Sequence, residues 1–292
     1  VSHVFVTHMH MDHFIGFDTL LRLLMGRPKT LHLYGPQGFL QNVEGKLAGY
    51  TWNLVENYSE SLILEVTEVR GDQTLRRRYR CDNRFRAESA ANRPFCSVLL
   101  EEPSLNVSAI ILDHGIPCLG YCLNERFHVN IRKDRLQALG LEPGSWLQVL
   151  KEAIYSEKHR DFPIEVHPSD GRSPYTLPLG ALADELVLIS PGQKICYVTD
   201  VGPSTENRRK IIEFVSGSDH LFVETPFLDS DRGTARQKHH LTAALAGKLA
   251  AQAGVKQMTP FHFSPRYSDQ GHLLRKEAQR AFRETRSTTA AR

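Results

Sequence analysis

The sequence predicts an α/β fold, because apolar segments of strand length alternate with longer segments of helical periodicity. Five of the predicted strands run directly into a polar residue of a metal-ligand type: His8, His114, Asp200, Glu224 and His262. Ligand-type side chains that gather at one end of several strands form a site in an α/β sheet. The same pattern therefore predicts both the fold class and the place of the functional site.

Apolar periodicity and helix-breaking residues define the elements of the first half of the chain. A helix is predicted over residues 14–25, where Phe14, Leu21 and Leu24 recur at helical spacing before Gly26-Arg27-Pro28 ends it. The other elements predicted here are a strand at residues 4–6, a strand at 31–34, a helix near 37–48, strands at 62–69, 96–101 and 109–112, and a strand or hairpin at 118–131. The arginine-rich stretch 70–86 is predicted to be a surface loop.

Residues 132–192 differ from the rest of the chain. They contain six prolines and one predicted helix, near 145–154, which favours an inserted arm over core structure. The elements predicted after this segment are strands at 195–198 and 220–223, a helix at about 234–253, a strand at 255–259 and a last helix at about 269–284. We therefore expect a single domain over residues 1–292, with an arm-like insertion at 132–192.

Composition limits the class of protein. The chain has 292 residues, of which 41% are hydrophobic, and no apolar run approaches the roughly 20 residues of a membrane span. The five cysteines are odd in number and include no CxxC pair, which favours reduced thiols in a cytoplasmic protein. Because the chain begins with Val1 and enters a strand at once, we expect an N-terminally incomplete sequence.

The net charge of +3 is unevenly distributed. Residues 70–86 contain seven arginines and two aspartates, and residues 266–292 contain seven lysines or arginines and three acids. Such clusters can hold a phosphate backbone. A solvated loop and an exposed tail nevertheless explain each cluster when it is taken alone.

Metal-ligand residues are densest between His8 and His13, where three histidines and one aspartate occupy six positions directly after a buried strand. In extended chain His8 and His10 point to the same side. Asp12 and His13 follow where the chain must turn, so they can face a second point in space. This arrangement predicts two adjacent metal sites.

Seven residues are candidates for those sites. The full set is His8, His10, Asp12, His13, His114, Asp200 and His262. Imidazole and carboxylate are the ligands of zinc, and seven of them suit two zinc ions that share one carboxylate. Manganese would accept the same ligands, but the high proportion of histidine favours zinc.

These residues resemble a known family. His8-Met9-His10-Met11-Asp12-His13 is similar to the HxHxDH signature of the metallo-β-lactamase superfamily, and its surroundings resemble ribonuclease Z, the tRNA 3′-processing endonuclease. The other similar segments are Gly26-Arg27-Pro28 through Tyr34-Gly35-Pro36, Asp113-His114-Gly115-Ile116-Pro117 with Gly120-Tyr121, residues 139–144, Thr199-Asp200, and His262-Phe263-Ser264-Pro265-Arg266-Tyr267. The resemblance implies the αββα sandwich of that superfamily, without the N-terminal strands that precede HxHxDH.

The resemblance also implies a role for each ligand. One zinc would be held by His8, His10 and His114, the other by Asp12, His13 and His262, and Asp200 would bridge both. Glu224 and His240 are similar to the family's acid–histidine pair, in which the histidine gives a proton to the leaving oxygen. His240 is preferred to His239 because Thr242 then matches the threonine of the family's His-Ser-Thr triplet. Asp12 would also accept a proton from the attacking water.

Three positions depart from the family pattern. Leu241 replaces the serine of the triplet, Gly202 lies where the family has an arginine, and Met11 replaces a glycine. None of the three is among the seven candidate metal ligands, so the resemblance still implies a hydrolase.

The function implied by the resemblance is removal of the 3′ trailer from precursor tRNA, performed by a homodimer and with no membrane partner. A hydrolase of the same fold acting on small phosphodiesters, sulfate esters or lactones is an alternative. A non-catalytic RNA-binding module and a structural zinc protein are two further alternatives. Closed tetrahedral sites would distinguish the last of these.

Overall fold

The computed structural model of the chain describes residues 1–58 and 61–290. The strands are β1 (His3–Phe5), β2 (Thr30–Gly35), β3 (Ile63–Arg70), β4 (Gln73–Arg80), β5 (Ala87–Pro94), β6 (Val98–Glu101), β7 (Leu105–Asp113), β8 (Pro117–Glu125), β9 (Phe127–Ile131), β10 (Pro163–Val166), β11 (Tyr175–Pro178), β12 (Val187–Pro191), β13 (Lys194–Val198), β14 (His220–Glu224) and β15 (Gln257–Phe261). The helices are α1 (Met11–Phe14), α2 (Gly16–Leu24), α3 (Phe39–Ala48), α4 (Lys133–Ala138), α5 (Trp146–Tyr155), α6 (Leu179–Leu186), α7 (Thr205–Phe214), α8 (Arg232–Gln237), α9 (Ala243–Gln252) and α10 (Gly271–Ala290). Single 3₁₀ turns lie at Val55–Asn57, Cys81–Asn83, Asp229–Asp231 and Pro265–Tyr267.

The chain divides into two compact units. The first comprises residues 1–99, 107–122 and 194–292, and the second comprises residues 100–106 and 123–193. The second unit contains the whole of the segment 132–192 and has a hydrophobic cluster of its own, in which Leu150, Ile164 and Leu186 are fully buried. The proline-rich segment therefore belongs to a compact unit with its own core, and its role as an arm stays a prediction.

Two mixed sheets organise the strands around the candidate site. One has the order β1-β2-β3-β4-β5 and the other has the order β15-β14-β13-β8-β7-β6. In the first sheet β1, β2 and β3 run parallel, and β3, β4 and β5 run antiparallel. In the second sheet β13, β14 and β15 run parallel. Parallel neighbours end at the same edge of a sheet, which is where the sequence predicts the ligand residues.

Helices cover one face of each sheet. Leu21 of α2 and Val43 of α3 lie in one hydrophobic cluster with residues of β2 and β3. Ile211 of α7 and Leu249 of α9 lie in a second cluster with residues of β13 and β14. Tyr121 of β8 connects the two sheets, because its hydroxyl donates to the Val6 carbonyl at 2.7 Å. The predicted α/β fold with an αββα sandwich is confirmed.

The prediction of a loop for the arginine-rich stretch is wrong. Residues 73–80 form β4, which pairs along its length with β3 and then with β5, a strand that the sequence does not predict. Tyr79 of β4 is fully buried, whereas Arg78, one position away, pairs with Glu65 of β3 at 2.6 Å. Tyr79 faces inward between the exposed Arg78 and Arg80, as on a half-buried strand, but the three consecutive arginines before Tyr79 show no such alternation in the sequence.

The single helix predicted over 234–253 is also wrong. The structure has α8 and α9 there, with a break at residues 238–242. His239 adopts a left-handed backbone with φ of 55°, and the Thr242 side chain accepts from the N–H of Leu245 as the N-cap of α9. The stretch 118–131, predicted to be a strand or a hairpin, instead holds two strands, β8 and β9, which belong to different sheets.

The expectation that all five cysteines are reduced is contradicted. Cys122 of β8 and Cys196 of β13 form a disulfide, and their Cα atoms lie 4.1 Å apart. Their strands are neighbours in the second sheet although 74 residues separate them in sequence. Cys81, Cys96 and Cys118 are free.

None of the helices in the described ranges combines the length and apolar character that spanning a bilayer requires.

Candidate metal centre

The histidine cluster begins where β1 ends. The N–H of Val6 donates to the Tyr34 carbonyl at 2.8 Å, and the Thr7 carbonyl accepts from Leu119 at 2.8 Å, so neighbouring strands fix the chain on both sides of this point. The next residue, His8, is fully buried. The chain is still extended at His10 and becomes helical at α1, which contains Asp12 and His13. The predicted change of direction within the cluster is therefore present in the backbone.

The other candidate ligands follow the C-terminal ends of strands. His114 follows β7, Asp200 lies two residues after β13, Glu224 ends β14, and His262 follows β15. Asp200 and His262 both have left-handed backbones, with φ of 48° and 57°. Such a conformation costs about 1–3 kcal/mol in a residue other than glycine and is typical of functional sites.

The carboxylate of Asp200 lies at the centre of the cluster and is only 2% exposed. Its Oδ2 atom lies 3.2 Å from His13 Nε2 and 3.8 Å from His8 Nε2. Its Oδ1 atom faces three other imidazole nitrogens, which are His262 Nε2 at 3.5 Å, His240 Nδ1 at 3.6 Å and His114 Nε2 at 3.8 Å. The two carboxylate oxygens thus face different imidazoles, but each faces members of both predicted ligand sets: Oδ2 faces His13 and His8, and Oδ1 faces His262 and His114.

Three overlapping groups of side chains could each hold a metal ion, since the ligand atoms within each group lie within 4.8 Å of one another. The groups are His8, His10 and His114; His8, His13 and Asp200; and Asp200, Glu224, His240 and His262. Among the residues that the structure describes, Asp12 belongs to none of these groups. Its side chain is 74% exposed, with Oδ2 at 3.5 Å from His13 Nε2.

The donor set fits a metal such as zinc. Burial and then the neighbouring imidazoles of His13 and His10 lower the pKa of His8 to about 3, and burial also lowers the pKa of His114. Both rings are therefore neutral near pH 7 and keep a lone pair for a metal. The buried Nδ1 atom of His262 makes no hydrogen bond within the described part of the chain, although Glu224 Oε2 lies 3.5 Å away. Burial alone would lower the pKa of His262, but Glu224 and Asp200 raise it. Neutral imidazoles such as those of His8 and His114, beside a buried carboxylate, are ligands that zinc takes in proteins.

Glu224 is fully buried and links the Asp200 loop to His240. Its Oε2 atom accepts from the N–H of Asp200 at 2.8 Å and from His240 Nδ1 at 2.9 Å. Its Oε1 atom accepts from the N–H of Leu241 at 2.8 Å. Burial alone would raise the pKa of Glu224, but the hydrogen bond from His240, the nearness of His262 and the N–H of Leu241 outweigh burial and lower this pKa to about 2. The glutamate is therefore ionised, and it orients the His240 ring.

His239 is placed differently from its neighbour. Its backbone carbonyl accepts from His114 Nδ1 at 2.7 Å, so the main chain of His239 orients a candidate ligand. Within the described ranges, the His239 side chain belongs to no potential metal group. The two adjacent histidines therefore contribute different groups to the site: His239 its backbone carbonyl and His240 its imidazole ring.

One residue of the site was missed by sequence reasoning. Asn207 of α7 is only 3% exposed, and its side chain bonds to the backbone of Asp113 and Gly202, next to His114 and Asp200. The signal in the sequence is a polar residue on the buried face of a helix, four positions before Ile211. Gly202 approaches Asp113 so closely that an added Cβ would meet the Asp113 carbonyl at 3.2 Å.

These side chains open onto a cavity of about 410 Å³. Its lining includes the exposed Asp12, the central Asp200 and the His240 ring, together with Lys238 and Phe263. The candidate ligands therefore face a space that is large enough for a phosphodiester group and is open to a substrate.

Two relatives illustrate what the chain is similar to. It is 31% identical over 270 residues to ribonuclease Z of Deinococcus radiodurans, an alignment covering 92% of this chain and 77% of that protein. It is 29% identical over 291 residues to ribonuclease Z of Bacteroides fragilis strain YCH46, covering 98% of this chain and 78% of that protein. No protein-family model matches the chain.

Among solved structures, the crystal structure of the short form of human tRNase Z is similar to this one. The TM-score is 0.50 at 16% sequence identity, and the match covers 91% of this chain and 73% of that chain. At this level of identity the similarity concerns the fold alone, and it agrees with the αββα arrangement described above.

Proposed function

The chain belongs to the ribonuclease Z family, and from this premise we propose that it is a metal-dependent endoribonuclease that removes the 3′ trailer from precursor tRNA. The observation that supports this most directly is the convergence of imidazoles on Asp200, beside the Glu224–His240 pair. A nucleophile, a charge-stabilising centre and a proton donor are the parts that phosphodiester hydrolysis needs.

We propose two zinc ions as the resident metals, with manganese as a substitute that accepts the same ligands. His8, His10 and His114 would hold one ion, Asp12, His13 and His262 would hold the other, and Asp200 would contact both. When bound, two such ions lower the pKa of a water molecule and offset charge on the phosphate oxygens. Asp12 would be the most exposed of these ligands, since its side chain is 74% exposed.

The chain's own residues supply the proton for the leaving group. Glu224 accepts from Nδ1 of His240 at 2.9 Å, so the proton on Nδ1 is fixed and Nε2 is the atom left to act on substrate. We propose that protonated His240 gives the proton on Nε2 to the departing 3′ oxygen, a step that contributes about 10²–10⁴-fold to rate. Asp12, at the cavity lining, would accept a proton from the attacking water.

The products would be a tRNA with a 3′-hydroxyl and a trailer with a 5′-phosphate. Relatives named ribonuclease Z and a structural neighbour named tRNase Z support tRNA as the substrate. A homodimer in which one subunit grips the tRNA that the other cuts, and a cytoplasmic location, are further proposals from the family resemblance.

Incubation with precursor tRNA, with and without a chelator, tests the function. We expect one cut at the 3′ end of the mature tRNA, its loss after chelation, and its return with added zinc or manganese. Sequencing of the products and analysis of their ends identify the bond that is broken. Cleavage of bis-p-nitrophenyl phosphate without any cleavage of precursor tRNA would overturn the tRNA proposal in favour of a small-molecule hydrolase.

A further inference from the structure

A groove lined with cations leads away from the candidate metal centre on the side of His240. A cavity of about 310 Å³ is lined by His240 and by Arg208, Arg232, Arg236 and Lys248. We refer to these four cations as the cationic groove. His240 also lines the cavity of the metal centre, so the two spaces share one wall.

The groove continues beyond this first cavity. A neighbouring space of about 570 Å³ shares Arg208, Leu245 and Lys248 with it. The sequence of shared residues runs from the metal centre, past His240, to Arg208 and Lys248. A series of three adjoining spaces suits an extended polymer better than it suits a single small anion.

Most of the positive charge in the groove is not neutralised by the protein. Within residues 1–58 and 61–290, Arg208 bonds only to a backbone carbonyl, that of Ser204 at 3.4 Å, and no carboxylate pairs with Arg236 or Lys248. Arg232 alone has an acidic partner, Asp229, at 3.3 Å. Asp229 also lines the first cavity and Glu213 lines the second, but cations outnumber acids in each. A net excess of positive charge in a concave surface raises the local potential and attracts anions.

The cations come from three different helices, which argues against a merely solvated helix face. Arg208 lies on α7, Arg232 and Arg236 lie one turn apart on α8, and Lys248 lies on α9. Arg209, the neighbour of Arg208, pairs instead with Glu213 at 2.9 Å. Arg208 therefore faces the groove without such a partner, and the charge pattern fits a chain of phosphates.

The chemistry of the reaction sets the direction of that chain. Hydrolysis joins the water oxygen to phosphorus and breaks the bond from phosphorus to O3′, whose electron pair stays on O3′. In the proposed function O3′ then takes a proton from His240, while the phosphate remains with the trailer. The nucleotide that bears O3′ must therefore lie on the His240 side of the scissile phosphate.

We infer that the cationic groove binds the backbone phosphates on the 5′ side of the scissile bond, the strand that becomes the mature 3′ end of the tRNA. This inference rests on the proposed function and adds a site and a polarity to it. The trailer would then leave on the other side of the metal centre. Arg208, Arg236 and Lys248 are the residues assigned to bind phosphate.

Steady-state kinetics on precursor tRNA test the inference. The triple variant Arg208→Gln, Arg236→Gln and Lys248→Gln should raise KM by about tenfold or more, with a much smaller change in kcat. The dependence of log kcat/KM on log salt should become shallower by about 0.7–0.9 for each phosphate that the variant no longer neutralises. The ratio of kcat/KM on precursor tRNA to that on bis-p-nitrophenyl phosphate should fall. Arg283→Gln, an exposed charge on α10 that lines neither cavity, is the matched control and should change none of these values.

Uncharged methylphosphonate linkages test the polarity. Two or three such linkages placed 5′ of the cut should raise KM for the wild type and abolish its KM advantage over the triple variant. The reason is that the substrate then lacks the charges that the three side chains bind. The same linkages placed 3′ of the cut should leave that advantage intact. The opposite pattern, or a triple variant whose KM and salt dependence match those of wild type, overturns the inference. If wild type itself fails to cut precursor tRNA, both the proposed function and this inference fall. If precursor tRNA is cut equally well by the wild type and the triple variant, the inference about the groove fails and the proposed function stands.

Discussion

The side chain of Asn207 binds both polar atoms of the Asp113 main chain. Its Oδ1 atom accepts from the Asp113 N–H at 3.2 Å, and its Nδ2 atom donates to the Asp113 carbonyl at 2.8 Å and to the Gly202 carbonyl at 2.9 Å. His114 follows the first of these residues, and Asp200 precedes the second by two positions. One buried amide therefore fixes the distance between two loops that present candidate ligands.

Asn207→Leu should lower metal affinity and also destabilise the fold. Leucine has a similar volume but cannot bond to either loop, and loss of a group that orients metal ligands typically lowers metal affinity about 10–100-fold. Competition with a chromogenic chelator measures the affinity. Ile211→Val, also buried on α7, is the control and should cost about 0.5–1.5 kcal/mol of unfolding free energy with zinc affinity unchanged. Equal zinc affinity in both variants would contradict the role assigned to Asn207.

His240→Ala should retain its metal and lose turnover. His240 is held by Glu224 at 2.9 Å, and loss of a general acid lowers kcat by about 10²–10⁴-fold. Zinc content by elemental analysis and kcat on precursor tRNA are the two measurements. The control is His239→Ala, which keeps the backbone carbonyl that accepts from His114 and should change kcat far less. Loss of zinc from His240→Ala would make this residue a ligand and not the acid.

Glu224→Gln should destabilise the metal-free protein. The carboxylate accepts from the N–H groups of Asp200 and Leu241 and from His240, and the amide NH₂ of glutamine would face some of these donors. Buried donors left without an acceptor cost about 1–3 kcal/mol, measurable by urea denaturation in chelator. Glu213→Gln, an exposed residue on α7, should stay within about 0.5 kcal/mol of wild type. Equal stability of the two variants would contradict the role assigned to the Glu224 carboxylate.

Arg78→Ala should lower stability without affecting RNA cleavage. Arg78 pairs with Glu65 at 2.6 Å, and Glu65 is only 7% exposed. Removal of the arginine therefore leaves a buried carboxylate unpaired, which costs about 1–3 kcal/mol of unfolding free energy. Arg80→Ala is the control, because its partner Asp82 is solvent-accessible and such pairs contribute about 0–1 kcal/mol. Denaturation curves measure the stability, and KM on precursor tRNA should be unchanged in both. A raised KM with unchanged stability would instead make the arginine strand an RNA-binding surface.

Local pattern was sufficient for the fold class and for most elements. The strand predicted at 31–34 is β2, the strand at 195–198 is β13, and the helix near 37–48 is α3. Burial along these segments follows the period of the element, which a single sequence records directly. The grouping of His8, His10 and His13 was also visible, because ligands two to five residues apart need no long-range contact to come together.

Two of the features that were predicted wrongly depend on partners far away in the chain. The break at 238–242 occurs where Glu224, sixteen or more residues earlier, accepts from His240 and Leu241. The disulfide joins residues 74 positions apart. Helical propensity and cysteine spacing, which are local, gave no signal of these contacts. The strand β4 is a different case, because its partners β3 and β5 are its neighbours in sequence; there the high density of arginine led to the prediction of a loop.

The sequence by itself determined an α/β chain with strand-end histidines and carboxylates of the types that zinc binds. Only the tertiary structure decided that the two oxygens of Asp200 face different imidazoles, that Asn207 connects two ligand loops, and that cations from three helices line one groove beside His240. The physical reason is that residue type and period are properties of a segment. The direction of a side chain and the neutralisation of its charge depend on which distant segments pack against it.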